Sequence, residues 1–364
     1  MTVYADTRFQ NRRRRLASTL AGQRIDAMLV THLTHVRFLS GFSGSNGAVL
    51  VKKDLTALIS TDGRYTTQVG EEASDLELIS ARNCGSALLE TVDGPRRVGY
   101  EADYVTVSEL ESLQKACPEG ITLVPVTGVI EEIRLVKDEV SLDHLRHVAR
   151  IAVVAWEELL EAGELRAGRR ENEVAADLEY RMRKHGSEHT SFDTIVASGL
   201  NSAKPHHGAD DTEIQDGDIV TVDFGAHLLG FNSDITRSVI VGHTTDFTKE
   251  VYDVVLRAQL AGIDAATPGT ALVDVDRACR DIIDEAGYGE YFVHSTGHGV
   301  GLDVHEAPYA STGGKGVLEP GMTLTIEPGI YVPGKGGVRI EDSLIIRAGA
   351  PEIITDTPKE LRLV

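Results

Sequence analysis

Apolar residues recur in two rhythms along the chain, and the change of rhythm divides it. Up to about residue 133, short apolar runs such as AMLV (27–30), GAVLV (47–51), LTALIS (55–60) and RRVGY (96–100) alternate with polar, helix-compatible segments. Short, mainly apolar runs between helical stretches predict an α/β layer structure. The glycine-rich GFSGSNG at 41–47 has neither dinucleotide-binding nor P-loop spacing, so it predicts a tight turn.

After EEIRLVKD (131–138) the period lengthens. Leu142, Leu145, Val148, Ala152, Ala155 and Leu159 return at three- and four-residue steps, the mark of a long amphipathic helix. The expected organisation is an N-terminal domain over 1–133 and a second domain over 134–364. A further helix carries Val174, Leu178 and Met182 and stops near Gly186, which suits a left-handed cap. DIVTVDFGAHLLGFNSDITRSVIVG (218–242) then reads as a hairpin of two β-branched runs around HLLG.

The scheme repeats. One helix carries Val251, Val254, Val255 and Ala258 and another Val275, Ala278 and Ile282; the strands MTLTIEPGIYV (322–332) and GVRIEDSLIIR (337–347) follow. Helix, helix, strand, strand, twice over, predicts an internal duplication about a pseudo-two-fold axis, with strands of both halves meeting at the centre of one sheet.

Composition narrows the function. The 364 residues carry a net charge of −20, which repels phosphate backbones and anionic lipid, so neither nucleic acid nor a membrane surface is expected as partner. The one basic cluster, Arg12 to Arg15, reads as a solvated helix face. Cys84, Cys117 and Cys279 are odd in number and far apart, which indicates neither a disulfide framework nor a zinc knuckle. With no apolar run of signal-peptide or membrane-spanning length, a cytoplasmic location is the expectation.

Candidate chemistry lies in the acids of the repeated strands. Asp223 and Asp234 stand on the two arms of the hairpin, and Glu327 and Glu341 have apolar strand residues around them. An acid on a strand commonly points to solvent; four in such contexts require compensation, because burying a bare carboxylate costs several kcal/mol. Two divalent cations would match the charge of the four, and His298 would add a neutral nitrogen. Such a donor set favours Mn²⁺, Co²⁺, Fe²⁺ or Zn²⁺ over a thiolate-loving metal. Two such ions sharing a water lower its pKa and polarise a carbonyl, which is hydrolytic chemistry.

DFGA, DITRS, STGHGVGLDVHEAP, TIEPGIYV and GVRIEDS together resemble the five ligand motifs of the pita-bread metallopeptidases, a resemblance spanning 139–364. It implies an α+β pita-bread catalytic domain after the α/β N-terminal one. It further implies Asp223, Asp234, His298, Glu327 and Glu341 as ligands of two metal ions, Mn²⁺ first among the metals above, with Glu327 also moving the proton of the attacking water. By the same resemblance His206 (in AKPHHG), His294 (in FVHSTGHG) and His305 (in LDVHEAP) assist catalysis and Arg339 orients a ligand; His207 is set aside as a surface residue.

VRFLSGFSGSNGAVLV (36–51) and STDGRYTTQV (60–69) are similar to the N-terminal domain of the aminopeptidase P and prolidase branch. This implies an exopeptidase acting on peptides with proline in second place, and a homodimer. Prolidases often carry an arginine shortly after the HE of the LDVHEAP motif, and here Tyr309 occupies that neighbourhood, which favours an Xaa-Pro aminopeptidase over an Xaa-Pro dipeptidase. A non-catalytic peptide binder and a creatine-type hydrolase of the same fold are the other readings.

Overall fold

A computed structural model describes residues 7–94 and 96–364, and the chain divides into two compact units between Arg134 and Leu135. In the first unit six strands form one mixed sheet. Its order is Glu77–Ser80, Ala57–Thr61, Ala48–Lys52, Ala27–Val30, Arg96–Glu101, Ile121–Val126. The central strand Ala27–Val30 pairs antiparallel with Ala48–Lys52 and parallel with Arg96–Glu101, and is buried throughout, as a strand covered on both faces must be.

The helix Arg8–Gly22 corrects the expectation of a solvated basic face. Arg14 and Arg15 are exposed, but Arg12 and Arg13 are buried. The Arg12 guanidinium donates to Phe38 O at 2.9 Å and lies 4.4 Å from the Phe38 ring; Arg13 donates to Leu39 O at 2.7 Å and pairs with Asp75. Two neighbouring arginines thus satisfy the C-terminal carbonyls of the next helix, Leu33–Ser40, a use that composition does not distinguish from a charged surface.

The second unit is built from two similar halves. Helices Glu139–Glu161 and Glu171–Lys184 pack on the strands Ile195–Ser198, Ile219–Phe224 and Ile235–Ile240 around one apolar cluster that includes Leu142, Leu159, Val174, Val222 and Phe224. Helices Asp246–Ala265 and Leu272–Glu285 do the same with Thr323–Ile326, Gly329–Val332, Gly336–Arg339 and Asp342–Ile345, around Val255, Val275, Leu324 and Leu344. Asp138 opens the first helix by accepting from Ser141 N and Oγ, and the second ends at Gly186 with φ +106°.

The strands do not merge into one central sheet as expected. They form short sheets of two or three strands, because the run 322–332 breaks at Glu327–Pro328 and the run 337–347 breaks at Ile340–Glu341. Proline removes a ladder donor at the first break. The halves are joined there by other bonds: Glu341 N donates to Thr236 O at 3.1 Å, Arg339 N donates to Ser238 Oγ at 3.2 Å, and Ser238 Oγ donates to Arg339 O at 2.9 Å. Both glutamates therefore stand where the ladder opens, beside the aspartate hairpin. Among the described residues no helix is long and apolar enough to cross a membrane.

Arg237, 1% exposed, clamps this junction. It donates to Thr236 O, Glu341 O, Thr355 O and Thr357 O and pairs with Asp342 at 2.8 Å. Asp342 is also buried and receives Gln259 Nε2 at 2.8 Å and Lys359. Removing one partner of such a buried pair leaves uncompensated charge, so Arg237→Met is expected to cost about 3–5 kcal/mol of stability. Trp156, the sole tryptophan and part of this unit's core, reports the loss as a lower denaturation midpoint in fluorescence; a change under about 1 kcal/mol would contradict the clamp.

Candidate metal centre and catalytic pocket

Strand register sets the first two acids. Phe224 pairs with Ile235 and Asp223 with Thr236, so Asp234, two residues before Thr236, lies on the same face as Asp223. The hairpin turns at Leu229 (φ 54°) and Gly230 (φ 84°), the two left-handed positions a tight hairpin turn demands. The other half supplies Glu327, whose N–H donates to Thr296 O at 2.8 Å, and Glu341, whose Oε2 accepts from Thr236 Oγ1 at 2.8 Å.

His298 completes the set from the strand Gly297–Gly299. Its Nδ1 lies 3.0 Å from Gly299 O, which turns Nε2 toward the acids, 3.3 Å from Glu327 and 3.5 Å from Asp234. The flanking glycines are sterically required: a Cβ on Gly297 would sit 1.7 Å from Thr325 O, and one on Gly299 2.4 Å from Ala307 O. Ligand-capable atoms of Asp223, Asp234 and Glu341 lie within 4.8 Å of one another, as do those of His298, Glu327 and Glu341, and those of Asp234, His298 and His305.

The pocket is overcharged without a cation. Burial, and then the charge of Asp223, hold Asp234 well above the usual carboxylate range; burial and the charges of Asp234, Glu327 and Asp223 do the same to Glu341. Burial also pushes Glu327 up, but the hydrogen bond and charge of His298 overrule it and bring it to about 2. His298 is correspondingly raised, against burial, to about 9 by Glu327 and Asp234. Asp223 Oδ2 accepts from Arg339 Nη2 at 2.6 Å, while its Oδ1 is buried with no partner, as an oxygen reserved for a metal would be. The donor set fits divalent cations.

A second row of side chains stands behind the acids. Arg339, buried, donates to Tyr331 Oη at 2.7 Å and Thr236 Oγ1 at 3.1 Å, and Tyr331 Oη lies 2.9 Å from His294 Nε2. Burial lowers the pKa of His294, and burial with the charge of His298 lowers that of His305. His305 stands edge-on to His298 with ring centroids 4.4 Å apart, and exposed His206 lines the same cavity. That cavity, of about 440 Å³, is walled by Phe192, Ile195 and Pro205 and floored by the acids. All nine residues singled out in the sequence thus line or back one pocket.

Sequence reasoning does not single out Thr236 or Tyr331, although even spacing is a signal for each: Thr236 lies two residues after Asp234, and Tyr331 lies two after Gly329, the residue paired with Arg339. His207 was misjudged as a surface residue. It is buried, and its Nε2 sits 2.6 Å from Glu171 Oε2. Glu171, with no exposed surface, also accepts from Ser198 N and Oγ and Asn201 Nδ2, and so pins the loop that carries His206.

Opposed strand pairs from two duplicated halves, holding acids and one imidazole in a cavity, define a pita-bread metal-dependent hydrolase. The chain belongs to metallopeptidase family M24, whose sequence pattern matches residues 143–348, and a creatinase/prolidase N-terminal domain matches 12–136. The Xaa-Pro dipeptidase of Pyrococcus horikoshii is 38% identical over 340 residues, 93% of this chain and 94% of that relative. A solved structure of an Xaa-Pro dipeptidase from Bacillus anthracis is 41% identical with a TM-score of 0.93, covering 98% of this chain and all of that one. An X-Pro aminopeptidase structure from Thermotoga maritima is 35% identical with a TM-score of 0.87, covering 97% and 99%.

A metal held by the shifted groups would compete with their protons. Asp234, Glu341 and His298 hold protons more tightly in the folded chain, so their contribution to stability is present at low pH and is lost as the pH rises, for His298 through about 9. Glu327, lowered to about 2, has gained its full contribution by about pH 4.5, its ordinary value, and does not oppose the trend above that. The gap between melting temperatures of metal-loaded and metal-free protein should therefore widen from about pH 4.5 to about pH 9. Calorimetry showing a constant gap would mean that these groups do not bind the metal.

Proposed function

We propose that this metallo-exopeptidase is an Xaa-Pro dipeptidase: it cleaves the bond between a first residue and a following proline in dipeptides, using two divalent ions held by Asp223, Asp234, His298, Glu327 and Glu341. The observation that carries the hydrolytic reading is the gathering of four carboxylates and one imidazole at one cavity, with Asp223 Oδ1 buried and unpartnered. About 440 Å³ lies within the range of small-ligand sites and suits a substrate of dipeptide size. The relatives support the dipeptidase over the aminopeptidase that Tyr309 favours: among solved structures, an Xaa-Pro dipeptidase and a prolidase stand at 41% and 36% identity with TM-scores of 0.93 and 0.91, against 35% and 0.87 for the aminopeptidase.

When bound, the ions activate a water molecule and polarise the scissile carbonyl. Glu327 takes the proton of that water and delivers it to the departing proline nitrogen, which as a tertiary amide carries none of its own. His206 and His305 donate to the carbonyl oxygen as it becomes tetrahedral; one such donor is worth about 2.7–4 kcal/mol in other hydrolases. Arg339, braced by Tyr331 and Thr236, holds the Asp223 carboxylate so that its second oxygen faces the cavity. Mn²⁺ as the working metal and a homodimeric state belong to the same reading.

Chelator-treated protein should lose hydrolysis of Ala-Pro and regain it with Mn²⁺ or Co²⁺, while Ala-Pro-Ala stays intact. Faster cleavage of the tripeptide would return the assignment to an aminopeptidase, and metal-loaded protein inert on both would leave a peptide binder. Glu327→Gln should lower kcat by about 100- to 10,000-fold, as loss of a proton carrier does, with a smaller effect on KM.

A further inference from the structure

Residues 300–305 link the strand of the metal-facing His298 to the carbonyl-facing His305, and they form an irregular loop. Two clasps hold it. On one side Asn232, from the aspartate hairpin, donates its backbone N–H to Gly301 O at 2.9 Å and its side-chain amide to Leu302 O at 3.0 Å. On the other side Glu306, the residue after His305, reaches back to accept from Asp303 N at 3.2 Å and packs so tightly over Gly301 that a Cβ there would lie 2.7 Å from its oxygens.

Glu306 is itself anchored. Its Oε1 lies 2.9 Å from Nζ of Lys137, with the two side chains only 9% and 5% exposed. Lys137 is fixed in turn at the start of the catalytic unit: its N–H donates to Gly321 O at 2.9 Å and its Nζ also donates to Leu135 O at 3.2 Å. A nearly buried ion pair adds little to stability relative to apolar replacements, but it holds one geometry, since either charge alone is costly. Nothing in the hydrolytic reaction uses this pair.

We propose that the Lys137–Glu306 ion pair is a positioning device for His305, fixing the loop so that its imidazole stays beside His298 and faces the reacting carbonyl. This rests on the dipeptidase reading for the role of His305, though the loop's anchoring does not. A donor displaced by about 1 Å can cost up to about 100-fold in rate.

Glu306→Gln keeps the size of the side chain and removes the charge. It should lower kcat about 10- to 100-fold with KM and bound metal per chain nearly unchanged. In a His305→Ala background the same change should cost almost nothing further, because both act through one imidazole. Amide hydrogen exchange over 299–306 should quicken in E306Q, which reads the loop without any turnover. Should E306Q fold poorly, the charge-free pair K137M/E306L carries the same expectations. Losses that multiply in H305A/E306Q, an unchanged kcat, or unchanged exchange would each overturn the proposal. Wild-type protein inert on Ala-Pro would instead strike the dipeptidase reading and leave the exchange comparison to decide the anchor.

Discussion

Repulsion among four carboxylates in one poorly hydrated pocket is the constraint that the catalytic unit is organised around. At separations under 5 Å each pair of like charges opposes the other by roughly 3–4 kcal/mol with an effective dielectric near 20, and several such pairs meet here. The chain's own cations answer only part of this: Arg339 serves Asp223, and a protonated His298 serves Glu327. Asp234 and Glu341 are left to hold protons or metal. Divalent ions held by these acids would relieve the repulsion as they bind.

Placing the acids requires both halves of the unit. Each helix pair covers one apolar cluster, each cluster takes in a few strand residues of the other half (Ile345 in the first, Ile219 and Ile240 in the second), and neither half contributes more than two of the carboxylates. The junction is held by polar bonds in place of a continuous ladder, with Arg237 and Asp342 clamping it from behind and Thr236 reaching from one half to Glu341 of the other. Breaks in the strand runs are what turn Glu327 and Glu341 into the pocket; an unbroken sheet would have committed their backbone groups to neighbours and left the glutamates on a flat face.

Two of the histidines, His206 and His305, stand on loops tied to carboxylates outside the metal-facing set. Glu171 gathers the loop of His206 through His207, and Glu306 gathers the loop of His305. Carboxylates thus take two positions in this molecule, facing inward on the cavity where the proposed ions would sit and facing backward to collect backbone and side-chain donors. Their abundance in a chain of net charge −20 serves both, and composition alone does not separate them.

Periodicity in the sequence determined the helices, the hairpin and the duplicated order, because apolar spacing reports directly which face of an element is buried: Leu142 to Leu159 and Val174 to Met182 are all buried where the 3.6-residue rhythm put them. Short motifs likewise marked the acids and imidazoles that converge. Tertiary structure alone decided which charged residues face inward for structural ends. Arg12, Arg13, Arg237, Glu171 and His207 are buried beside partners 26 to 120 positions away along the chain, as Arg12 is by Phe38 and Arg237 by Thr357. No local rhythm records a hydrogen bond between distant segments. A charged side chain reads the same in sequence whether water or a carbonyl from another segment satisfies it, and only the fold supplies the partner.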